Sequence, residues 1–155
     1  MLRLSKLTDY AVVVLIRLSE ADCGAGLVQT SPGISAATGV PEPTVAKVLK
    51  ALAGSGLVSS QRGARGGYRL LRPLSAITVA DVITAIDGPI ALTACVDGSV
   101  SACDVQSFCA VKGRWDLVNE AIHGALASIT LSQMRGASVP IAFRLPAQPI
   151  AAAAE

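Results

Sequence analysis

The stretch that decides the fold runs from Pro41 to Pro73, PEPTVAKVLKALAGSGLVSSQRGARGGYRLLRP. Its first part opens with Pro41-Glu42-Pro43-Thr44 and closes at Gly54 and Gly56. Val45, Val48, Leu49 and Leu52 recur at i, i+3, i+4 and i+7, which predicts a helix with one buried face. Lys47 and Lys50 fall off that face. The second part alternates as two short strands, Leu57 to Gln61 and Tyr68 to Leu71, around Arg62-Gly63-Ala64-Arg65-Gly66-Gly67. A lysine-bearing helix followed at once by an arginine-tipped hairpin predicts a recognition helix and a wing. Glycines at the tip let its backbone approach a ligand closely, and arginine suits phosphates and narrow minor grooves.

The residues before this stretch supply the partner helix. Ser31-Pro32 reads as a cap followed by proline at the first helical position, with the helix running through Ile34 to Thr38 and stopping at Gly39. Two helices meeting at the tight Gly39-Val40 turn make a helix-turn-helix. Upstream, Thr8 can cap a helix over Tyr10 to Leu18, whose apolar positions predict burial on several sides, and Asp22 to Gly26 ends it. Downstream, Thr78-Val79-Ala80-Asp81 fits a capping box opening a helix to about Ile86.

Charge divides the chain. Residues 1–75 hold nine Lys/Arg and four Asp/Glu, whereas residues 76–155 hold four and seven. The basic first half therefore suits a polyanion, and the second half does something else. Charged residues are 15% of the chain against 52% hydrophobic, so part of the surface is expected to be covered by a partner. Ala11 to Ile16 is far shorter than the roughly 20 apolar residues of a membrane span, and Arg17 interrupts it. It also lacks a signal-peptide cleavage pattern. The expected location is the cytoplasm, where structural disulfides are rare.

Three of the four cysteines fall between Cys95 and Cys109 in a Gly/Ser/Asp-rich loop spaced C-x7-C-x5-C. Disulfide partners, metal ligands and small buried hydrophobes are the three readings of such a set, and the spacing and polar surroundings favour metal. Structural zinc usually shows C-x2–4-C pairs and a closed set of four ligands, and this loop shows neither. Cys23 lies apart and reads as a non-ligand. The single histidine, His123, lies fourteen residues past Cys109, about 21 Å along one helix, too far to share its site. A catalytic reading is weak: the chain has no phosphate loop, no Ser/His/Asp set and no C-x-x-C.

From Phe108 to about Gln133, Trp115, Val118, Ile122, Leu126 and Ile129 recur every three or four residues. This predicts a helix of about 25 residues, close to 40 Å, more than so small a domain needs for its own core. Its apolar stripe favours pairing with a second copy. The expected organisation is a mainly α chain with a small β-hairpin. A winged helix-turn-helix head spans 1–75, a linking helix and cysteine loop 76–107, and a long dimerisation helix 108–134. The Ala/Pro-rich residues 135–155 read as a disordered tail.

Residues 1–134 resemble a known family. "MLRLSKLTDYAVVVL", "LVSSQRGARGGYRL", "ITVADVITAIDG", the cysteine loop and "SITLSQM" occur in the order found in the IscR-like family of iron–sulfur-sensing winged-helix regulators. The opening "LRLSKLTDYA" is most similar to the branch that regulates SUF-type iron–sulfur assembly operons. The resemblance implies a homodimeric transcription regulator that binds promoter DNA according to the state of its 2Fe–2S or 4Fe–4S cluster, with repression as the expected output. Matched residue by residue, Cys95, Cys103 and Cys109 fall on the family's ligand positions, although many relatives have five residues rather than seven in the first gap. One branch has a histidine three residues after the last cysteine, where this chain has Lys112. Asp9 matches an aspartate that, in the nitric-oxide-sensing branch, ligates from the opposite subunit; its bland alternative is a first-turn acid favoured by the helix dipole. In the same family Thr44, Lys47 and Lys50 would face the major groove and Arg62 and Arg65 would make the wing's contacts, whereas Pro43 and Ala46 replace polar readers of some relatives. A thiol, zinc or nitric-oxide sensor on the same fold is the alternative reading.

Overall fold

The computed structural model describes residues 3–21, 28–63, 66–94, 96, 109–111 and 113–136. The first helix, α1, spans Lys6–Ala21. Ser5 caps it: the Ser5 hydroxyl accepts from Thr8 N at 3.2 Å and its carbonyl from Asp9 N at 3.4 Å. Thr8, expected as the cap, instead sits inside the first turn with its side chain buried. Ala11, Val14, Leu15 and Leu18 are buried, and Leu7, Tyr10, Val12 and Ile16 pack half-buried against the same core, while Lys6, Asp9, Val13 and Glu20 are exposed, so α1 is covered on several sides, as its apolar positions predict.

Helix α2 spans Ser31–Thr38. Its cap is Thr30, whose side chain accepts from Gly33 N, one residue earlier than expected; Pro32 keeps its place in the first turn. Gly39 closes the helix at φ 73°, a left-handed cap suited to glycine. Helix α3 spans Glu42–Gly54, and its four periodic residues, Val45, Val48, Leu49 and Leu52, are all fully buried. Strands β1 (Val58–Gln61) and β2 (Gly67–Leu70) pair antiparallel, with Val58 opposite Leu70 and Gln61 opposite Gly67. Gln29 extends the ribbon by a single bridge to Tyr68, exchanging backbone bonds of 2.9 and 2.8 Å.

A short 3-10 turn at Leu74–Ala76 leads into α4, Val79–Asp87. The capping box is complete: Asp81 N donates to Thr78 Oγ1 at 3.1 Å and Thr78 N to Asp81 Oδ2 at 2.9 Å. Helix α4 packs on α1 and α3, and Leu74, Ile77, Val79, Val82 and Ile83 join one continuous core with the helix-turn-helix.

The long C-terminal helix is not observed. Helix α5 spans Trp115–Ala127, 13 residues, or about 20 Å. Gly113, in a left-handed turn at φ 73°, precedes its start. At the other end Ile129 and Thr130 leave the helix to pair with the segment before α4: Val79 N donates to Ile129 O and Leu131 N to Ile77 O, each at 2.9 Å. The β-branched pair suits this extended conformation. Thr130 then caps a further helix, α6, Leu131–Gly136, whose N-terminus it closes reciprocally with Gln133. Leu131 is fully buried in the core shared with α1 and α3. Arg135, expected in the tail, lies in α6; residues 137–155 fall outside the described residues.

Candidate nucleic-acid interface and thiol loop

Burying Val45, Val48, Leu49 and Leu52 turns the opposite face of α3 outward. Lys47 and Lys50 are exposed there, and Thr44 is half-buried in the first turn. Pro43 and Ala46, which cannot hydrogen-bond through their side chains, are exposed on the same helix. Arg62 is exposed directly after β1. The ion pairs among the described residues are Arg17–Glu20 and Arg72–Asp81, so no carboxylate there neutralises Lys47, Lys50 or Arg62. Arg65 lies outside the described residues.

Arg69 is exposed on β2, and its Nε donates to the Ser59 hydroxyl at 3.2 Å, directly across the ribbon. The sequence reading does not include this bond, though strand alternation places Ser59 and Arg69 together. The tip glycines have a reason beyond ligand access. A Cβ on Gly66 would sit 2.4 Å from Gln61 O, and one on Gly67 would sit 2.7 Å from Gln29 O. Both positions therefore require glycine so that the hairpin can close on itself and on Gln29.

Cys95 and Cys103 lie outside the described residues; Cys109 is a free, half-buried thiol just ahead of the turn into α5. Val96, next to Cys95, is buried, and its N–H donates to Thr93 O at 3.3 Å. Asp9 is exposed in the first turn of α1 and lines a cavity of about 320 Å³ with Arg3, Lys6, Val12, Val79 and Val82. His123 is exposed on α5, beside Arg72 and Asp81 rather than Cys109. Among the described residues no three His, Cys, Asp or Glu side chains gather as a metal site. No helix among them is long and apolar enough to cross a membrane.

Helix α5 has no buried residue. Trp115 and Val118, one turn apart, are exposed beside Val111, and Leu117, on another face of α5, is 74% exposed, so large apolar groups stand open to solvent.

Comparison with known proteins agrees with this arrangement. Residues 4–136 match the Rrf2 family, described as iron-dependent transcriptional regulators. The chain is 30% identical to the HTH-type transcriptional regulator IscR of Escherichia coli over 133 residues, covering 86% of this chain and 80% of that one. Among solved structures it is similar to T. potens IscR, at 29% identity and TM-score 0.59, covering 86% of each chain. It is also similar to CymR, titled the global cysteine regulator of B. subtilis, at 25% identity and TM-score 0.62, covering 86% of this chain and 96% of that one. These proteins are transcriptional regulators, not enzymes.

Proposed function

Since the chain belongs to the Rrf2 family of helix-turn-helix transcriptional regulators, we propose that it is a homodimeric repressor that senses iron–sulfur cluster status and controls SUF-type iron–sulfur assembly genes. The observation that carries the DNA-binding half is the unpaired positive face of Lys47 and Lys50 on α3, with Arg62 beginning the adjoining wing. Helix α3 enters the major groove through Thr44 and Lys47, with Lys50 alongside, and Arg62 and Arg65 reach phosphates or the minor groove. The exposed apolar residues Trp115 and Val118 on α5 mark where a second copy pairs.

Cys95, Cys103, Cys109 and, from the second subunit, Asp9 would hold the cluster. The donor chemistry fits, since iron in clusters takes thiolates with one position open to another group, and Cys109 offers a free, half-buried thiol. A bound cluster supplies a redox- and iron-sensitive bond set between subunits. This chain's own residues turn that into a switch: α1 carries Asp9 at its first turn and packs along α3, so holding or releasing Asp9 biases the recognition helix between two placements.

Similarity to a protein titled the global cysteine regulator of B. subtilis supports a second reading, a signal other than cluster status on the same fold: the loop is a thiol or zinc switch, or the same cluster senses nitric oxide. Iron and acid-labile sulfide per subunit, with a visible spectrum, on protein purified without oxygen separates the two. Iron, sulfide and charge-transfer bands are expected, with promoter affinity that changes on removing them. Colourless protein after anaerobic reconstitution overturns the cluster and leaves the thiol or zinc reading. Unchanged promoter binding under nitric oxide excludes the gas as signal.

A further inference from the structure

Asn119, on α5, makes two hydrogen bonds to one short piece of backbone far away in the chain. Its Nδ2 donates to Ile90 O at 2.9 Å, and its Oδ1 accepts from Leu92 N at 3.1 Å. Ile90 and Leu92 are themselves half-buried. The two bonds close a loop whose interior contains all three clustered cysteines: Leu92 lies three positions before Cys95, and Asn119 ten after Cys109. We infer that Asn119 is a positioning residue of the thiol loop, a clamp that fixes where the chain leaves for Cys95 relative to where it returns from Cys109.

The chemistry of the side chain fits the task. One carboxamide presents an acceptor and a donor together, and so mates with the carbonyl of one residue and the N–H of the residue two further on. Aspartate lacks the donor and alanine lacks both. At the entry to the loop Val96 N donates to Thr93 O at 3.3 Å, and the exit follows the turn at Gly113. Without the clamp the three thiols must find a common centre from a freer loop, and closing such a loop has an entropic penalty. Supporting groups of this kind set metal affinity by 10–100-fold when removed, as a general order of magnitude.

The inference rests on the metal reading proposed above, but its test does not depend on iron. The full chain carrying Cys23→Ser and Cys103→Ser keeps two thiols, Cys95 and Cys109. Oxidised glutathione converts them to a disulfide and is itself reduced to two thiols, and the equilibrium constant measures how closely the loop ends are held. Asn119→Ala is expected to lower that constant about tenfold. In the chain with all four cysteines, the half-life of iron release to a chelator is expected to shorten by a similar factor. Asn119→Asp keeps the acceptor and drops the donor, and is expected to fall between the two, which serves if the alanine variant folds poorly. A lowered melting temperature with both readouts within twofold of the unsubstituted chain would reduce Asn119 to a structural tie and overturn the inference. If the unsubstituted chain takes up no iron, the cluster reading fails while the closure constants still decide the clamp.

Discussion

The Thr8 hydroxyl donates to Asp87 Oδ2 at 2.6 Å, joining the first turn of α1 to the last residue of α4. Thr8 is almost wholly buried, whereas Asp87 is exposed, so the bond ties a buried hydroxyl to a carboxylate at the protein surface. The same hydroxyl lies 3.1 Å from that of Ser5, the helix cap. Thr8→Val keeps the shape and removes the donor. It is expected to lower unfolding free energy by about 1–2 kcal/mol in urea titration. A variant as stable as the parent would mean that water replaces the bond with no penalty.

Leu131 ties the end of the described chain to its beginning. It is fully buried among residues of α1 and the helix-turn-helix core, although it comes after α5. Leu131→Ala should therefore destabilise the head by about 2–5 kcal/mol. Met134, one turn later and 43% exposed, should tolerate alanine within about 0.5 kcal/mol. Equal effects from the two would show that α6 is not docked on the core.

What the sequence shows of this fold follows the range of the interactions involved. The buried face of α3, the Gly39 cap and the Thr78–Asp81 box are local patterns and stand where the spacing puts them. The caps at Ser5 and Thr30 lie three residues and one residue before their expected positions, where several hydroxyl residues compete for one role. The interruption at Ile129 and Thr130 comes from pairing with Ile77 to Val79, some fifty residues away along the chain, which no periodicity reports. It does have a local sign, since Thr130-Leu131-Ser132-Gln133 has capping-box spacing inside the expected helix. Asn119 does not stand out in the sequence because the backbone carbonyl and N–H it binds carry no signature there. The lysines of α3 and Arg62 are legible as a charged, outward set, while Cys95, Cys103 and Arg65 fall outside the described residues.

The wing depends on two glycines for its closure. Gly66→Ala or Gly67→Ala forces a Cβ against backbone oxygen at 2.4 or 2.7 Å, and backbone cannot move aside as a flexible side chain can. Each is expected to destabilise by about 2–3 kcal/mol and to weaken duplex binding by displacing Arg62. Gly54→Ala, with no atom within 4 Å, is the contrast. There the gain in helix preference should stabilise by about 0.5–1 kcal/mol. A stable Gly67→Ala protein with normal DNA affinity would show that the wing closes some other way.

The charged face should separate steering from reading. Lys47→Ala or Lys50→Ala is expected to weaken duplex binding. Where the lysine neutralises a phosphate, its removal should also reduce the slope of log affinity against log salt by about 1. Arg62→Ala should weaken specific sites by about 1–3 kcal/mol. Arg69 already commits its Nε to Ser59, so Arg69→Ala should change affinity less than Arg62→Ala. Fluorescence anisotropy across a salt series measures all four, and unchanged affinity together with an unchanged slope for both lysines would remove them from the interface.

Asp9 presents the sharpest choice between a ligand and an ordinary first-turn acid. It is exposed, and among the described residues it forms no ion pair. As a helix-dipole partner alone, its removal should destabilise by about 0.3–1 kcal/mol and leave every metal property untouched. As a ligand, Asp9→Ala should shift the visible spectrum of the reconstituted protein and shorten the lifetime of its cluster. Because the proposed ligand comes from the other subunit, mixed dimers supply a further test. In the first mixture, an Asp9→Ala subunit pairs with one whose Cys95, Cys103 and Cys109 are replaced by serine. The intact thiol loop then has alanine in its own chain and Asp9 across the interface. Ligation across the dimer predicts one whole site with the parental spectrum, and ligation within the chain predicts none. In the second mixture, Asp9→Ala and the three serine substitutions share one subunit, opposite an unsubstituted one. The intact loop now has Asp9 in its own chain and alanine across the interface, so the two predictions exchange. The parental spectrum in the first mixture and its absence from the second is the outcome expected here. The reverse pattern would assign Asp9 to its own loop, and the parental spectrum in both would leave it an ordinary first-turn acid.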